Sequence, residues 1–188
     1  MPGALREETA RLLADYVQHR LGAASSSPPP PPPSRAAETL RRVADELESR
    51  ERLFFRNAAA LPPAGQEDEE AAAAALLARV ARQMEAEGGL NWGRVVALVV
   101  FAGNLAAALA ERGAADGGGS GALVEALAAY LAEERRDWLE AHGGWDGFYH
   151  FFNKHGSDAA DQNSTISNAI MAAAGFGLAG LAFLLVVR

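Results

Sequence analysis

Residues 91–112 decide the fold, and they read NWGRVVALVVFAGNLAAALAER. Between Val95 and Ala110, only Asn104 can form a hydrogen bond through its side chain. A helix that is apolar on every side must be surrounded by protein or by lipid. The 16 residues of this stretch are fewer than the roughly 20 that span a bilayer. We therefore expect this helix to lie at the centre of a helical bundle.

The segments on either side of this central helix also have a helical composition. Alanine dominates, β-branched residues are few, and no long stretch alternates between apolar and polar residues. We expect further helices over Leu5–Leu21, Ala36–Asn57, Glu67–Glu87, Ala122–Leu139 and Trp145–Lys154. The sequence therefore predicts an all-α fold.

Two stretches of low complexity separate these predicted helices. Residues 25–33 consist of three serines and six prolines, and such a run cannot be helical. We expect a stiff polyproline II linker over residues 25–35. The loop Gly113–Gly121 contains three consecutive glycines, but it lacks the Lys-Ser/Thr pair of a phosphate-binding loop. We interpret this loop as a flexible connection.

A second uncharged segment, residues 169–187, lies near the end of the chain and is followed by Arg188. As a helix its 19 residues would measure about 28 Å, close to the hydrocarbon thickness of a bilayer. We expect a transmembrane tail anchor there, a polar spacer over residues 161–168, and one domain over residues 1–160 on the cytosolic face. Two small residues spaced four apart in the anchor can pack against a second helix. Formation of a homodimer or a heterodimer is therefore an open alternative.

The composition argues against several classes of site. A net charge of −7 argues against nucleic-acid binding. The absence of cysteine removes disulfides, thiol nucleophiles and cysteine-based zinc sites. His142, His150 and His155 lack the spacing of zinc ligands, and no catalytic triad or pair of carboxylates stands out. We therefore predict no metal, no cofactor and no enzymatic activity.

Four segments resemble the homology regions of the Bcl-2 apoptosis regulators. NWGR at residues 91–94 resembles the first region, and WLEAHGGWDGF at residues 138–148 resembles the second. Leu40–Leu47 resembles the third region, and Leu5–Leu21 looks like the fourth, N-terminal one. All four occur in the family's order ahead of the apolar tail, so the resemblance covers nearly the whole chain. Within the family, they look most like the Bcl-2-like protein 10 branch.

The resemblance implies a bundle of about eight helices and an anti-apoptotic function at an intracellular membrane. Proteins of this family bind the amphipathic BH3 helix of death-promoting relatives in an apolar groove. The arginine of the NWGR motif, here Arg94, would pair with an aspartate of that helix. The residues assigned to the groove are Leu47, Phe54, Phe55, Val80, Met84, Asn91, Gly93, Arg94, Val96, Ala97, Phe101 and Phe152.

These assignments have alternatives. Any one apolar member of the groove set can equally belong to the core. Arg94 can instead form an internal salt bridge, with Asp45 or with a glutamate of the predicted helix Glu67–Glu87. Glu51 stands where relatives often have an aromatic groove residue, so we expect that pocket to be more polar.

The third homology region has a BH3-like pattern of its own, formed by Leu40, Val43, Asp45 and Leu47. If this segment were released, it would be a ligand for the groove of another protein. Its three apolar residues are needed for the core of this domain, however. We therefore expect the segment to stay in place.

The expected partners are BH3-containing pro-apoptotic members of the Bcl-2 family. One alternative is a pro-apoptotic, pore-forming effector of the same fold, in which the central helix and its neighbour enter the bilayer. A second alternative is an organelle adaptor for calcium-release channels. The resemblance favours the cytosolic face of the mitochondrial outer membrane, and the endoplasmic reticulum or nuclear envelope are the alternative addresses.

Overall fold

The computed structural model describes residues 2–23, 28–59, 68–113 and 120–154. These ranges contain α1 (Pro2–Gly22), α2 (Arg35–Arg50), α3 (Arg52–Ala58), α4 (Glu69–Ala86), α5 (Trp92–Glu111), α6 (Gly121–Ala129), a π turn (Tyr130–Glu134), α7 (Arg136–Ala141) and α8 (Gly144–Lys154), and no strand. The predicted all-α fold is confirmed for these residues. The predicted tail anchor 169–187, the spacer 161–168, His155 and parts of the two linkers lie outside them.

The helix α5 lies at the centre of the bundle, as its sequence predicts. Sixteen of its 20 residues are buried, and α1, α2, α3, α4 and α6 all pack against it. Among the described helices, only α5 has the length and mean hydropathy of a membrane span, and 83% of its most apolar window is buried inside the protein. In this structure α5 is therefore a core helix.

The N-terminal helix α1 packs on α5, α6 and α2. The inward stripe is buried: Leu12, Leu13, Tyr16 and Val17. α1 approaches α5 closely at Gly103, where an added Cβ would lie 2.9 Å from Tyr16 Cε1. A buried hydrogen bond also ties α1 to α8, since the Trp145 indole Nε1 donates to Thr9 Oγ1 at 2.8 Å. The predicted helix Leu5–Leu21 is confirmed.

The predicted single helix Ala36–Asn57 is wrong in one respect, because the chain bends at Glu51 and forms two helices. Glu51 has φ −108° and ψ 26°, although its N–H still donates to the Leu47 carbonyl. The apolar stripe of α2 meets charged residues at Arg50 and Glu51. These charged residues interrupt the apolar stripe. After the bend, α3 has a new direction, in which Phe55 is completely buried.

The predicted helix Ala122–Leu139 is also interrupted, here by the π turn and by Arg135. The Arg135 N–H donates to the Tyr130 carbonyl at 2.9 Å, across one residue more than in an α-helix. A tertiary contact stabilises the turn, because Glu85 of α4 accepts from Tyr130 Oη at 3.0 Å and from Arg135 Nε at 2.6 Å. Burial and the Glu85 carboxylate raise the pKa of Tyr130. Local periodicity carries no information about this contact.

Candidate functional site

The predicted groove residues lie on α2, α3, α4, α5 and α8 and at the cap of α5. α2, α3 and α4 each pack on α5, and no extensive contact joins α4 to α2 or α3 in the described part of the chain. α5 is therefore the floor between α2–α3 on one side and α4 on the other. The apolar members are Leu47 on α2, Phe54 and Phe55 on α3, Val80 and Met84 on α4, Val96, Ala97 and Phe101 on α5, and Phe152 on α8.

Most of these apolar side chains face inward. Eight of the nine are at most 2% exposed, and Phe54 is half-buried. Phe152 packs its ring against Phe148 and Phe151, with centroid distances of 5.0 Å. A ligand helix can reach such side chains only if the groove opens.

Leu53 is the large apolar residue that the groove assignment omitted. It is 73% exposed, next to the half-buried Phe54 and the buried Phe55 on α3. Three consecutive apolar residues cannot all face one side of a helix. The run Leu53, Phe54, Phe55 therefore indicates that at least one of the three side chains is exposed, but the sequence alone does not identify it.

Arg94 lies in the first turn of α5 and is 3% exposed. Asn91 caps this turn, because its side chain accepts from the Arg94 backbone N–H at 2.9 Å. The guanidinium Nη1 donates to the Gly89 carbonyl. Within the described residues, the buried Nε has no hydrogen-bond partner and Arg94 forms no ion pair. A buried donor without an acceptor costs free energy, which an incoming acceptor recovers.

The internal salt bridge considered for Arg94 is thus not formed within the described ranges. Asp45 is instead hydrogen-bonded to His19 Nε2 at 3.2 Å. On α4, Glu85 binds Tyr130 and Arg135. Both carboxylates are held by partners away from the start of α5.

Arg41 shows how this fold satisfies another buried arginine. Its Nε and Nη2 donate to the two carboxylate oxygens of Asp15, at 2.9 and 2.5 Å, and its Nη1 donates to the Pro30 carbonyl at 2.8 Å. Arg94 has the equivalent backbone contact through Nη1, to Gly89. Its Nε and Nη2 edge, by contrast, donates to no carboxylate of the described residues. The chemistry of this edge fits a bidentate carboxylate.

The chain's own BH3-like segment forms part of the core. Leu40, Val43 and Leu47 are completely buried in α2. Asp45 lies on the exposed side of that helix. Release of this segment would expose all three apolar side chains, so its retention agrees with the packing.

A polar cleft of about 920 Å³ lies elsewhere on the molecule. Its lining comes from the ends of α1, α2 and α5 and from α3, and includes Arg20, Glu48, Arg56 and Asn104. None of the residues assigned to the groove lines it. The cleft is therefore separate from the candidate site.

The family model for apoptosis regulator proteins of the Bcl-2 family matches residues 40–145. The chain is 65% identical to the anti-apoptotic protein NR13 of Gallus gallus over 188 residues, the whole of both chains. It is 39% identical to Bcl-2-like protein 10 of Homo sapiens over 80 residues, which cover 34% of this chain and 39% of the human protein. The expected likeness to that branch is confirmed.

Solved structures give the same result. The zebrafish pro-survival protein NRZ, crystallised in complex with a Bad BH3, superposes with a TM-score of 0.70 at 38% identity, covering 81% of this chain and 97% of that chain. Chicken BOK superposes with a TM-score of 0.63 at 25% identity, covering 79% and 96%. By sequence and by fold, this chain therefore belongs to the Bcl-2 family of apoptosis regulators.

Proposed function

We propose that this chain is an anti-apoptotic regulator that sequesters pro-apoptotic relatives by binding their BH3 helix in the groove over α5. Its whole length is 65% identical to a protein named anti-apoptotic. A pro-survival protein of similar fold has been crystallised with a Bad BH3. The proposed function is binding alone and involves no catalytic step.

The observation that carries this proposal is the Nε and Nη2 edge of the buried Arg94 guanidinium, which donates to no acceptor within the described residues. In the proposed complex, Nε and Nη2 receive the aspartate of the ligand helix as a bidentate pair, which fixes its register. The apolar stripe of the ligand, at i, i+3 or i+4, and i+7, is buried against α3, α4 and α5. Apolar burial supplies most of the affinity.

A titration with and without Arg94 tests this function. The full chain, held in phosphatidylcholine nanodiscs, is titrated with a fluorescent Bad BH3 peptide. We expect sub-micromolar binding and a loss of about 1–3 kcal/mol for Arg94→Ala. Arg82→Ala removes an exposed arginine that pairs with Glu134 at 2.7 Å, and this control variant should bind like the wild type. A folded wild type that binds no BH3 peptide would contradict the proposal.

We also propose that residues 169–187 anchor the domain 1–160 to the mitochondrial outer membrane through the spacer 161–168, with the endoplasmic reticulum as the second address. The support is the uncharged 19-residue length of the segment. A fluorescent fusion of the full chain should then lie on mitochondria, and a fusion that lacks 169–187 should be diffuse. Equal distributions of the two fusions would contradict the anchor.

One observation favours a pore-forming effector as the second candidate. α5 meets the length and mean hydropathy of a membrane span, and 83% of its most apolar window is buried inside the protein in this structure. Leakage of dye from liposomes, induced by the full chain together with the Bad BH3 peptide, would favour this candidate. Under the anti-apoptotic function we expect no leakage.

A further inference from the structure

Two glycines precede the NWGR motif, and both lie beside the guanidinium of Arg94. Gly89 has a φ of 77°, in the left-handed region that glycine adopts without strain. In this turn its carbonyl accepts the hydrogen bond from Arg94 Nη1. We propose that the Gly88–Gly89 turn is a positioning element, which holds the Nε and Nη2 edge of Arg94 ready for the carboxylate of a bound helix. This inference rests on the proposed function.

The Gly89 carbonyl fixes the orientation of the guanidinium. A guanidinium is planar, so a contact at Nη1, together with the side-chain stem, sets the direction of the two remaining donors. The donors of Arg41 have the same arrangement of partners. Nη1 donates to a backbone carbonyl, and Nε and Nη2 donate to a carboxylate. The chain thus already contains one arginine in which this arrangement holds a carboxylate.

Gly88 leaves the space that the guanidinium occupies. A Cβ at residue 88 would lie 2.9 Å from Arg94 Nη2, 3.2 Å from Nη1 and 3.5 Å from Cζ. The first of these distances is too short for a real contact, so a side chain at this position must displace the guanidinium. The nearest atom, Nη2, is one of the two donors assigned to the ligand.

A side chain at residue 88 would displace the guanidinium of Arg94 and would leave the fold unchanged. Gly88 is exposed, and the atoms that its Cβ would meet are the end of a flexible side chain. Gly88→Ala therefore removes the positioning while Arg94 and the groove remain. A displaced guanidinium must then return to the position that faces the carboxylate on binding, which lowers affinity.

The test is a double-mutant cycle on the full chain in phosphatidylcholine nanodiscs. The dissociation constant of the Bad BH3 peptide is measured for wild type, Gly88→Ala, Arg94→Ala and the double variant. It is measured again with a peptide whose aspartate is replaced by asparagine. Gly22→Ala is the matched control, because a Cβ at that glycine meets nothing within 4 Å. Circular dichroism melts verify that every variant is folded.

We expect Gly88→Ala to weaken binding of the Bad BH3 peptide about three- to tenfold. The same change should have no further effect when Arg94 is already alanine, or with the asparagine peptide, because Gly88 acts only through the Arg94–carboxylate pair. Gly22→Ala should bind like the wild type. A second measurement, the NMR signal of the Arg94 Nε–H, should shift in free Gly88→Ala.

The other outcomes separate the two proposals. Wild-type affinity in Gly88→Ala, with a clear loss in Arg94→Ala, would overturn the positioning role alone. An equal loss from Gly88→Ala with and without Arg94 would also overturn it, because the glycine would then act on the fold or the groove. Binding by the wild type with no loss in Arg94→Ala would overturn the positioning role and the Arg94–aspartate pair, and no binding by the folded wild type would overturn the proposed function as well.

Discussion

At the scale of single residues, the buried polar side chains of this chain differ in how many partners they have. Thr9 is completely buried and is the acceptor for the Trp145 indole, while its own hydroxyl donates to the Leu5 carbonyl at 2.7 Å. Asn153 Nδ2, by contrast, donates both to Thr39 Oγ1 at 3.2 Å and to the Tyr149 carbonyl at 2.8 Å. The two threonines therefore differ in what their removal leaves unpaired.

We expect Thr9→Val to destabilise the full chain by about 1–3 kcal/mol, because it leaves the buried Trp145 N–H without an acceptor. Thr39→Val is the matched control and should cost less, since Asn153 keeps its contact with the Tyr149 carbonyl. Urea unfolding followed by circular dichroism measures both. Equal losses from the two variants would mean that the indole contact contributes no more than the amide contact.

At the scale of elements, the charged residues of α1 attract one neighbouring helix and repel another. Asp15 of α1 binds Arg41 of α2 at 2.5 Å. Near the other end of α1, Glu8 faces Asp146 in the first turn of α8, and burial and this carboxylate raise the pKa of Glu8. The Asp15–Arg41 ion pair is therefore attractive, and the electrostatic interaction between Glu8 and Asp146 is repulsive at neutral pH.

Glu8→Gln should for this reason stabilise the protein at pH 7. A folded pKa above the unfolded one means that ionisation of Glu8 disfavours the fold, so the wild type loses stability as the pH rises through these values. Glutamine cannot ionise, and the advantage of the variant should disappear at pH 4. Because Glu8 is largely exposed, we expect the gain to be below about 1 kcal/mol.

Urea unfolding at pH 7 and pH 4 checks the sign of this effect. Glu7→Gln is the control, since Glu7 pairs with Arg11 one turn along α1 and should not become more stable. A Glu8→Gln variant that is less stable than the wild type at pH 7 would contradict the repulsion.

At the scale of the whole molecule, the bundle and the proposed site act as one unit, because α5 is both the core helix and the floor of the groove. A ligand that binds only the folded chain stabilises it. The Bad BH3 peptide at 100 times its dissociation constant should therefore raise the free energy of unfolding of the full chain by about 2.7 kcal/mol. The same peptide concentration should stabilise Arg94→Ala less, and equal stabilisation would contradict a role of Arg94 in binding.

The sequence predicts the features of this molecule that depend on local periodicity. The apolar run Val95–Ala110 identifies the central helix, and the predicted helix Leu5–Leu21 lies within α1. The π turn at Tyr130 depends on the contacts of Glu85 with Tyr130 and Arg135, which periodicity does not contain. The bend at Glu51 lies where Arg50 and Glu51 interrupt the apolar stripe of α2, but the apolar residues that follow favoured one continuous helix. The NWGR motif identifies Arg94, and the assignment of the groove residues to a ligand stays a prediction.

The glycine pair before the motif illustrates the same limit. As sequence, Gly88 and Gly89 indicate only the end of α4. Their distances to the Arg94 guanidinium follow from how the turn between α4 and α5 is folded. Neither the composition of the sequence nor the spacing of its residues predicts these distances to Arg94.

The Arg41–Asp15 pair provides a template for inhibitor design. It records, in this chain's own geometry, where a carboxylate lies when Nη1 is held by a backbone carbonyl: its oxygens are 2.9 Å from Nε and 2.5 Å from Nη2. Superposing the Arg41 guanidinium on that of Arg94 therefore gives a starting position for the acid group of a synthetic compound. A compound that also contacts the apolar face of α5 requires the groove to open, because Val96, Ala97 and Phe101 are at most 1% exposed.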